Sequence, residues 1–147
     1  MTPDLLKKMK KAGCHGMDYG LESGWAQVVK DMKKGFDLPT ARQVLRDTYA
    51  AGIQVGLFLL AGFPTETEEN FEETLAFLKE NEGNITRVTT GFGMGIQAGS
   101  DVQLNQDHYG IYWKDGEWYS ASTSPDIRAN RLKRLKEFCS NLDVQST

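Results

Sequence analysis

Cysteine is scarce in this sequence: Cys14 and Cys139 are the only two in 147 residues. They form no CxxC pair and no metal-ligand cluster, so they read as buried thiols of a reducing compartment, which points to the cytoplasm. Histidine is equally scarce, and His15 and His108 lie too far apart to share ligand spacing. Long apolar runs are missing. The longest, Val55 to Phe63, is about nine residues against the ~20 of a membrane helix, and suits a buried strand. A basic excess is missing too: 17 Lys+Arg stand against 20 Asp+Glu, a net charge of −3. That balance argues against a nucleic-acid or membrane-surface role. There is no Gly-x-x-x-x-Gly-Lys-Ser/Thr phosphate loop, internal repeat, low-complexity tract or clear linker. The first residues lead into a Lys-rich amphipathic stretch, unlike the apolar core of a signal peptide. What is present, 39% hydrophobic and 25% charged residues, is the composition of an ordinary globular domain.

The pattern along the chain alternates helix and strand. Thr2 can cap a helix with Pro3 at its first position, and Ala12-Gly13 ends it. Met17 to Leu21 alternates as a strand. Ser23 can cap a helix carrying Trp25, Val28, Val29 and Met32 on one face and stopping at Gly35. Another helix starts near Asp37 to Thr40, with Ala41, Val44, Leu45 and Thr48 on one stripe, and ends at Gly52. Ile53 to Ala61 is the strongest strand, apolar enough to be buried on both faces. Thr65-x-x-Glu68 fits a capping box before a helix lined by Phe71, Leu75 and Leu78. Ile85 to Phe92 reads as a third strand. Such alternation predicts an α/β fold with a parallel sheet. Beyond Ser100 the pattern changes: Asp115-Gly116 marks a tight hairpin turn, and Ser124-Pro125-Asp126 opens a last helix carrying Leu132, Leu135, Cys139 and Leu142.

Three Gly-rich segments follow the predicted strands: Gly20-Leu-Glu-Ser-Gly24, Gly62-Phe-Pro-Thr-Glu-Thr67 and Gly91-Phe-Gly-Met-Gly95. In a parallel sheet these C-terminal strand ends share one rim, where ligand sites lie. The glycines let a ligand approach the backbone, so the rim suits a ligand with polar and flat apolar parts. Each segment also has a structural explanation, since Glu22 suits a helix N-terminus and Glu66 and Glu68 suit a first turn. Gly93-Met-Gly95-Ile-Gln-Ala98 formally fits the dinucleotide pattern G-x-G-x-x-A, but opens no helical periodicity. The run Glu66, Glu68, Glu69, Glu72 and Glu73 reads as a solvated helix face. Arg128, Arg131, Lys133, Arg134 and Lys136 read as an outer helix face beside an aromatic hairpin, with RNA contact a minor alternative.

Leu6-Lys-Lys-Met-Lys-Lys-Ala-Gly-Cys14, Gly20-Leu-Glu-Ser-Gly24, Met32-Lys-Lys-Gly35, Ala51-Gly-Ile53 and Gly62-Phe-Pro-Thr-Glu-Thr67, in that order, resemble the radical SAM superfamily. The branch most resembled is that of the B12-binding-domain-containing radical SAM proteins. The resemblance covers residues 2–95 and implies the C-terminal half of a partial (β/α)6 TIM-like barrel, parallel strands with outer helices. Residues 1–100 would be barrel, and 101–147 a hairpin-and-helix extension packing on it. In this family Cys-x-x-x-Cys-x-x-Cys holds a [4Fe-4S] cluster that cleaves S-adenosylmethionine to a 5′-deoxyadenosyl radical. This sequence contains no such motif, so the resemblance implies a chain that is not competent alone. Carried over residue by residue, it implies that Glu22 and Ser23 meet the ribose or methionine end of S-adenosylmethionine. Lys34 would pair its carboxylate, Leu60, Ala61 and Gly62 would lie under its adenine, and Phe92 with the Gly-rich rim would close the far side. The cluster, and cobalamin in that branch, would be held by residues not in this sequence. The implied partner is a chain carrying the cluster-binding half, or a second copy meeting an open strand edge. The alternative is a non-enzymatic remnant or interaction module using that edge.

Overall fold

The computed structural model describes residues 1–91, 93–142 and 145–146, the last two as backbone only. Phe92, predicted to close the ligand site, lies outside the described residues. The first helix, α1 (Pro3–Lys11), starts as its sequence requires, with the Thr2 hydroxyl accepting from the Leu5 amide. It leads to β1 (Gly16–Glu22), a short α2 (Ala26–Asp31) and α3 (Leu38–Ala50), which Asp37 caps through the Thr40 amide at 2.8 Å. β2 (Gln54–Leu59), α4 (Glu68–Asn81) and β3 (Arg87–Thr89) follow, then a single turn, α5 (Asp101–Leu104). β4 (Tyr112–Lys114) and β5 (Glu117–Tyr119) make the expected hairpin around Asp115-Gly116, and α6 (Pro125–Ser140) and β6 (Gln145–Ser146) complete the chain.

The four strands β1, β2, β3 and β6 form one parallel sheet in that order. Helices flank it, giving an α/β fold of half-barrel type with a separate antiparallel hairpin. Strand alternation divides the sheet into two chemically different faces. Leu21, Val55, Leu57, Leu59 and Val88 point to the helices and join Leu45, Phe71, Phe77, Leu78, Leu135 and Cys139 in the main core. Asp18, Gly20, Gly56, Phe58 and Arg87 alternate with them and face the opposite, inner side. β2 is therefore not buried on both faces as its apolar run predicts: Phe58 is 44% exposed. The inner face carries charge instead, because Arg87 and Asp18 pair across Gly56, where any side chain would collide with the Asp18 carboxylate.

Several local predictions shift. Ser23 does not cap α2; Trp25 stands at that position without a side-chain bond, and Ser23 is buried against α4. The capping box is Thr67 with Asn70, two residues later than Thr65 and Glu68. β3 is shorter than Ile85 to Phe92, and Cys14 is part-exposed rather than buried. Cys139 is buried, and burial pushes its thiol up to about 11.

The moved helix start changes Glu66 from a solvated residue into a core one. It is 1% exposed and accepts from the Gly62 amide at 2.7 Å. Arg131 of α6, 3% exposed, donates to the Glu66 carbonyl oxygen at 2.8 Å and to its carboxylate at 3.3 Å. Arg128 is buried as well, lying over the Trp118 ring at 3.8 Å and donating to the Trp118 carbonyl. Two of the five basic residues read as an outer face therefore hold the core; Arg134 pairs on the surface with Glu68 and Glu72.

Burial pushes the Glu66 carboxyl up to about 7, against the Gly62 amide and the Arg131 guanidinium, which pull it down. A carboxyl whose pKa is raised on folding binds more protons in the native state, so its contribution falls as pH rises through about 7. Between pH 5 and pH 8 the wild type is expected to lose on the order of 1–3 kcal/mol relative to Glu66→Gln. Urea unfolding of both proteins at the two pH values checks this, and parallel profiles would refute it.

Candidate functional site

The C-terminal ends of β1 and β2 bring Glu22, Lys34 and Leu60 to one rim. Glu22 ends β1 at a bulge, with φ of 66°, a left-handed conformation that a side chain rarely adopts. Its neighbours hold it there. The Leu60 amide donates to the Glu22 carbonyl at 2.9 Å. The Ser23 hydroxyl accepts from the Trp25 amide and pairs with the Thr74 hydroxyl at 3.2 Å, while Thr74 accepts from the Gly24 amide at 3.0 Å. The β1 end is thus bolted to α4 directly behind Glu22.

Lys34 arrives from the turn after α2. Lys33 has φ of 54° and Gly35 φ of 72°, and these two left-handed residues fold the turn back toward β1. The Lys34 ammonium reaches Glu22 Oε1 at 2.8 Å. The pair lies over Gly20, where a Cβ would stand 3.0 Å from Glu22 Oε1 and 3.4 Å from Lys34 Nζ. Both side chains are partly exposed, so each keeps access to solvent. Beside them is a cleft of about 280 Å³ lined by Glu22, Phe58, Leu60, Thr90, Gly91 and Gly93. Its lining combines one carboxylate with the apolar side chains of Phe58 and Leu60 and two glycines.

Of the other predicted residues that the structure describes, Ser23, Ala61 and Gly62 do not line this cleft, and Lys34 meets it only through Glu22. Ser23 is buried against Thr74. Ala61 is fully buried in the main core. Gly62 has φ of 88°, and its open side is filled by Arg128, whose Cγ would be 2.5 Å from an added Cβ. Gly24 is likewise filled, by α4. The close approach that these glycines permit is made by the protein itself. Gly91 and Gly95 have none of the described residues within 4 Å of an added Cβ, so of the three Gly-rich segments this one leaves backbone open to a ligand.

Phe58 and Thr90 line the cleft without being among the residues the sequence points to, while Gly91 and Gly93 belong to the Gly-rich rim expected there. The period-two alternation of β2 contained the signal for Phe58: with Leu57 and Leu59 assigned to the core, Phe58 and Leu60 must share the other face. A second hollow, about 320 Å³, lies nearby between the α2 end and residues 94–102. Among the described residues no group of three His, Cys, Asp or Glu is gathered for a metal, and no helix is long and apolar enough to cross a membrane.

Residues 1–78, which include β1, the Lys34 turn and the loop after β2, match the family described as the Radical SAM superfamily. The chain belongs to the radical SAM superfamily. It is 32% identical over 123 residues to a tRNA-2-methylthio-N(6)-dimethylallyladenosine synthase of Helicobacter hepaticus, covering 82% of this chain and 23% of that protein. The synthase of the same name from Protochlamydia amoebophila is 32% identical over 128 residues, covering 85% and 24%. An uncharacterized methyltransferase of Pyrococcus horikoshii is 32% identical over 84 residues, covering 56% and 18%. The chain spans less than a quarter of the length of these relatives. Radical SAM enzymes use S-adenosylmethionine and a [4Fe-4S] cluster. The residue types on the rim fit the first of these: an ammonium suits the methionine carboxylate, a carboxylate suits ribose hydroxyls or an amino group, and Leu60 with Phe58 offers an apolar surface to a flat ring. They do not fit the second, since the two cysteines lie in α6 and before β1 and neither lines the cleft.

Proposed function

We propose that this chain supplies part of the S-adenosylmethionine pocket of a radical SAM enzyme. The observation that carries this is the Glu22–Lys34 pair, 2.8 Å apart, on the strand-end rim beside a cleft lined by Phe58 and Leu60. Lys34 keeps N–H groups for a carboxylate, and Glu22 keeps an oxygen for a hydroxyl or an amino group. Leu60 and Phe58 exclude water along the flat part of the ligand. Bound S-adenosylmethionine, with a reduced cluster held elsewhere, supplies the radical chemistry of the family. This chain's own residues bind and orient. The relatives named tRNA-2-methylthio-N(6)-dimethylallyladenosine synthase make a tRNA base one candidate substrate of the whole protein.

Lys34→Met is expected to weaken S-adenosylmethionine binding by about 10–100-fold, the worth of a hydrogen bond to a charged group. Leu60→Asp should weaken it too. Equilibrium titration of the protein reads both, and tight binding indifferent to both substitutions would overturn the assignment.

The second reading, an interaction module, is favoured by β1. Among the described residues its outer edge carries no strand. An apolar hollow of about 290 Å³ opens beside it, lined by Tyr19, Leu21, Phe36, Ala41, Val44 and Leu57. Such an edge takes another strand readily, whether from a cluster-bearing segment or a second copy.

A further inference from the structure

The turn that delivers Lys34 is tied down by the segment after β3. Tyr109 is buried, its ring edge-on to Phe63 with centroids 5.7 Å apart. Its hydroxyl donates to Asp101 Oδ2 at 2.6 Å and lies 3.1 Å from the Asp31 carbonyl oxygen, the last carbonyl of α2. Asp101 Oδ1 takes the Lys33 ammonium at 2.6 Å. Asp31 itself accepts from the Thr65 hydroxyl at 2.6 Å, which joins the turn to the loop after β2. The residues that fold the chain back at φ of 54° are therefore gripped on both sides of Met32. Burial pushes the Tyr109 hydroxyl up to about 12, and the Asp101 carboxylate adds to the effect, so the phenol stays a donor.

We propose that Tyr109 and Asp101 are positioning residues that hold the 31–34 turn so that Lys34 sits on Glu22 at the cofactor rim. The exposed Lys33–Asp101 pair contributes little alone. Tyr109 does most of the holding, because it is buried, makes a charge-assisted bond to Asp101 and reaches the helix end. The segment between β3 and the hairpin thereby governs the site. This inference rests on the reading of Lys34 as the carboxylate partner, and two measurements separate them.

The first needs no ligand. An ammonium held on a carboxylate is acylated slowly by an amine-reactive ester, and mass spectrometry reads each lysine separately. In Tyr109→Phe, which keeps the ring against Phe63, and in Asp101→Ala, Lys34 should be acylated several-fold faster than in wild type. Lys7, Lys79 and Lys114 should be unchanged. Glu22→Gln should free Lys34 as well. An unchanged Lys34 rate, or a rise shared by all lysines, would overturn the positioning role. The second measurement is S-adenosylmethionine titration of the same variants. Weaker binding in both, absent when either is combined with Lys34→Met, supports the coupling. Freed Lys34 with unchanged affinity would support the hold on the turn and overturn the assignment of Lys34 to the cofactor.

Discussion

Arg131→Ala is expected to cost about 3–5 kcal/mol of folding stability at pH 8, because it leaves a buried carboxylate without its cation. Arg131 bonds the backbone oxygen and the carboxylate of Glu66 and also reaches Glu68 Oε2 at 3.2 Å. Glu68, by contrast, is exposed and has Arg134 besides, which with Arg131 holds its carboxyl below the usual range. The loss therefore concentrates on Glu66. Protonation relieves an unpaired buried carboxylate, and burial has already raised this one to about 7. The cost should accordingly shrink at pH 5. Glu66→Gln combined with Arg131→Met should recover much of the loss, since removing both charges avoids the penalty of stranding one. Urea unfolding of the three proteins at both pH values measures this. A cost under 1 kcal/mol at pH 8 would mean that the pair does not hold the loop.

Gly24→Ala is expected to cost about 3 kcal/mol, at the upper end of ordinary overpacking. An added Cβ would stand 2.7 Å from Phe77 Cβ, 2.8 Å from Thr74 Cα and 3.1 Å from the Glu73 carbonyl oxygen. Two of those atoms are helix backbone and the third is fixed to it, so no rotamer change relieves the clash. α4 must retreat. That would break the Thr74 contacts to Ser23 and to the Gly24 amide, and with them the support behind Glu22. The substitution should lower thermal stability and loosen S-adenosylmethionine binding together. Unchanged melting with weakened binding would instead show that Gly24 faces a ligand, as its motif first suggests.

The contrast at Gly24 shows what the sequence could not say. The order of glycines along the chain made all three Gly-rich segments look like ligand contacts. Nothing in one dimension distinguishes a glycine approached by a ligand from one approached by another part of the protein. Gly24 is filled by a helix some 50 residues away, and Gly62 by Arg128. Ser23 was misplaced for the same reason, because its partner Thr74 lies on another element. Glu66 reads as a first-turn residue if the helix is capped at Thr65, but the cap is Thr67, and its partner Arg131 lies 65 residues away, beyond the reach of local pattern. By contrast α1, α3 and the Asp115-Gly116 hairpin were legible, since caps, turns and periodicity are interactions between near neighbours in the chain.

Residue type alone carries the alternation of helix and strand, the likeness to the radical SAM superfamily, and the absence of a three-cysteine cluster motif from these 147 residues; for the site it offers seven candidates along the strand ends without ranking them. Such features depend on local spacing. The tertiary structure alone decided which rim residues meet and which are core: Lys34 reaches Glu22, while Ser23, Ala61 and Gly62 are covered. It also decided that Arg128, Arg131 and Tyr109 from the last third of the chain support the loops of the first two. The physical reason is that burial and charge pairing depend on distance in space, and the parallel sheet brings together residues that the chain keeps far apart.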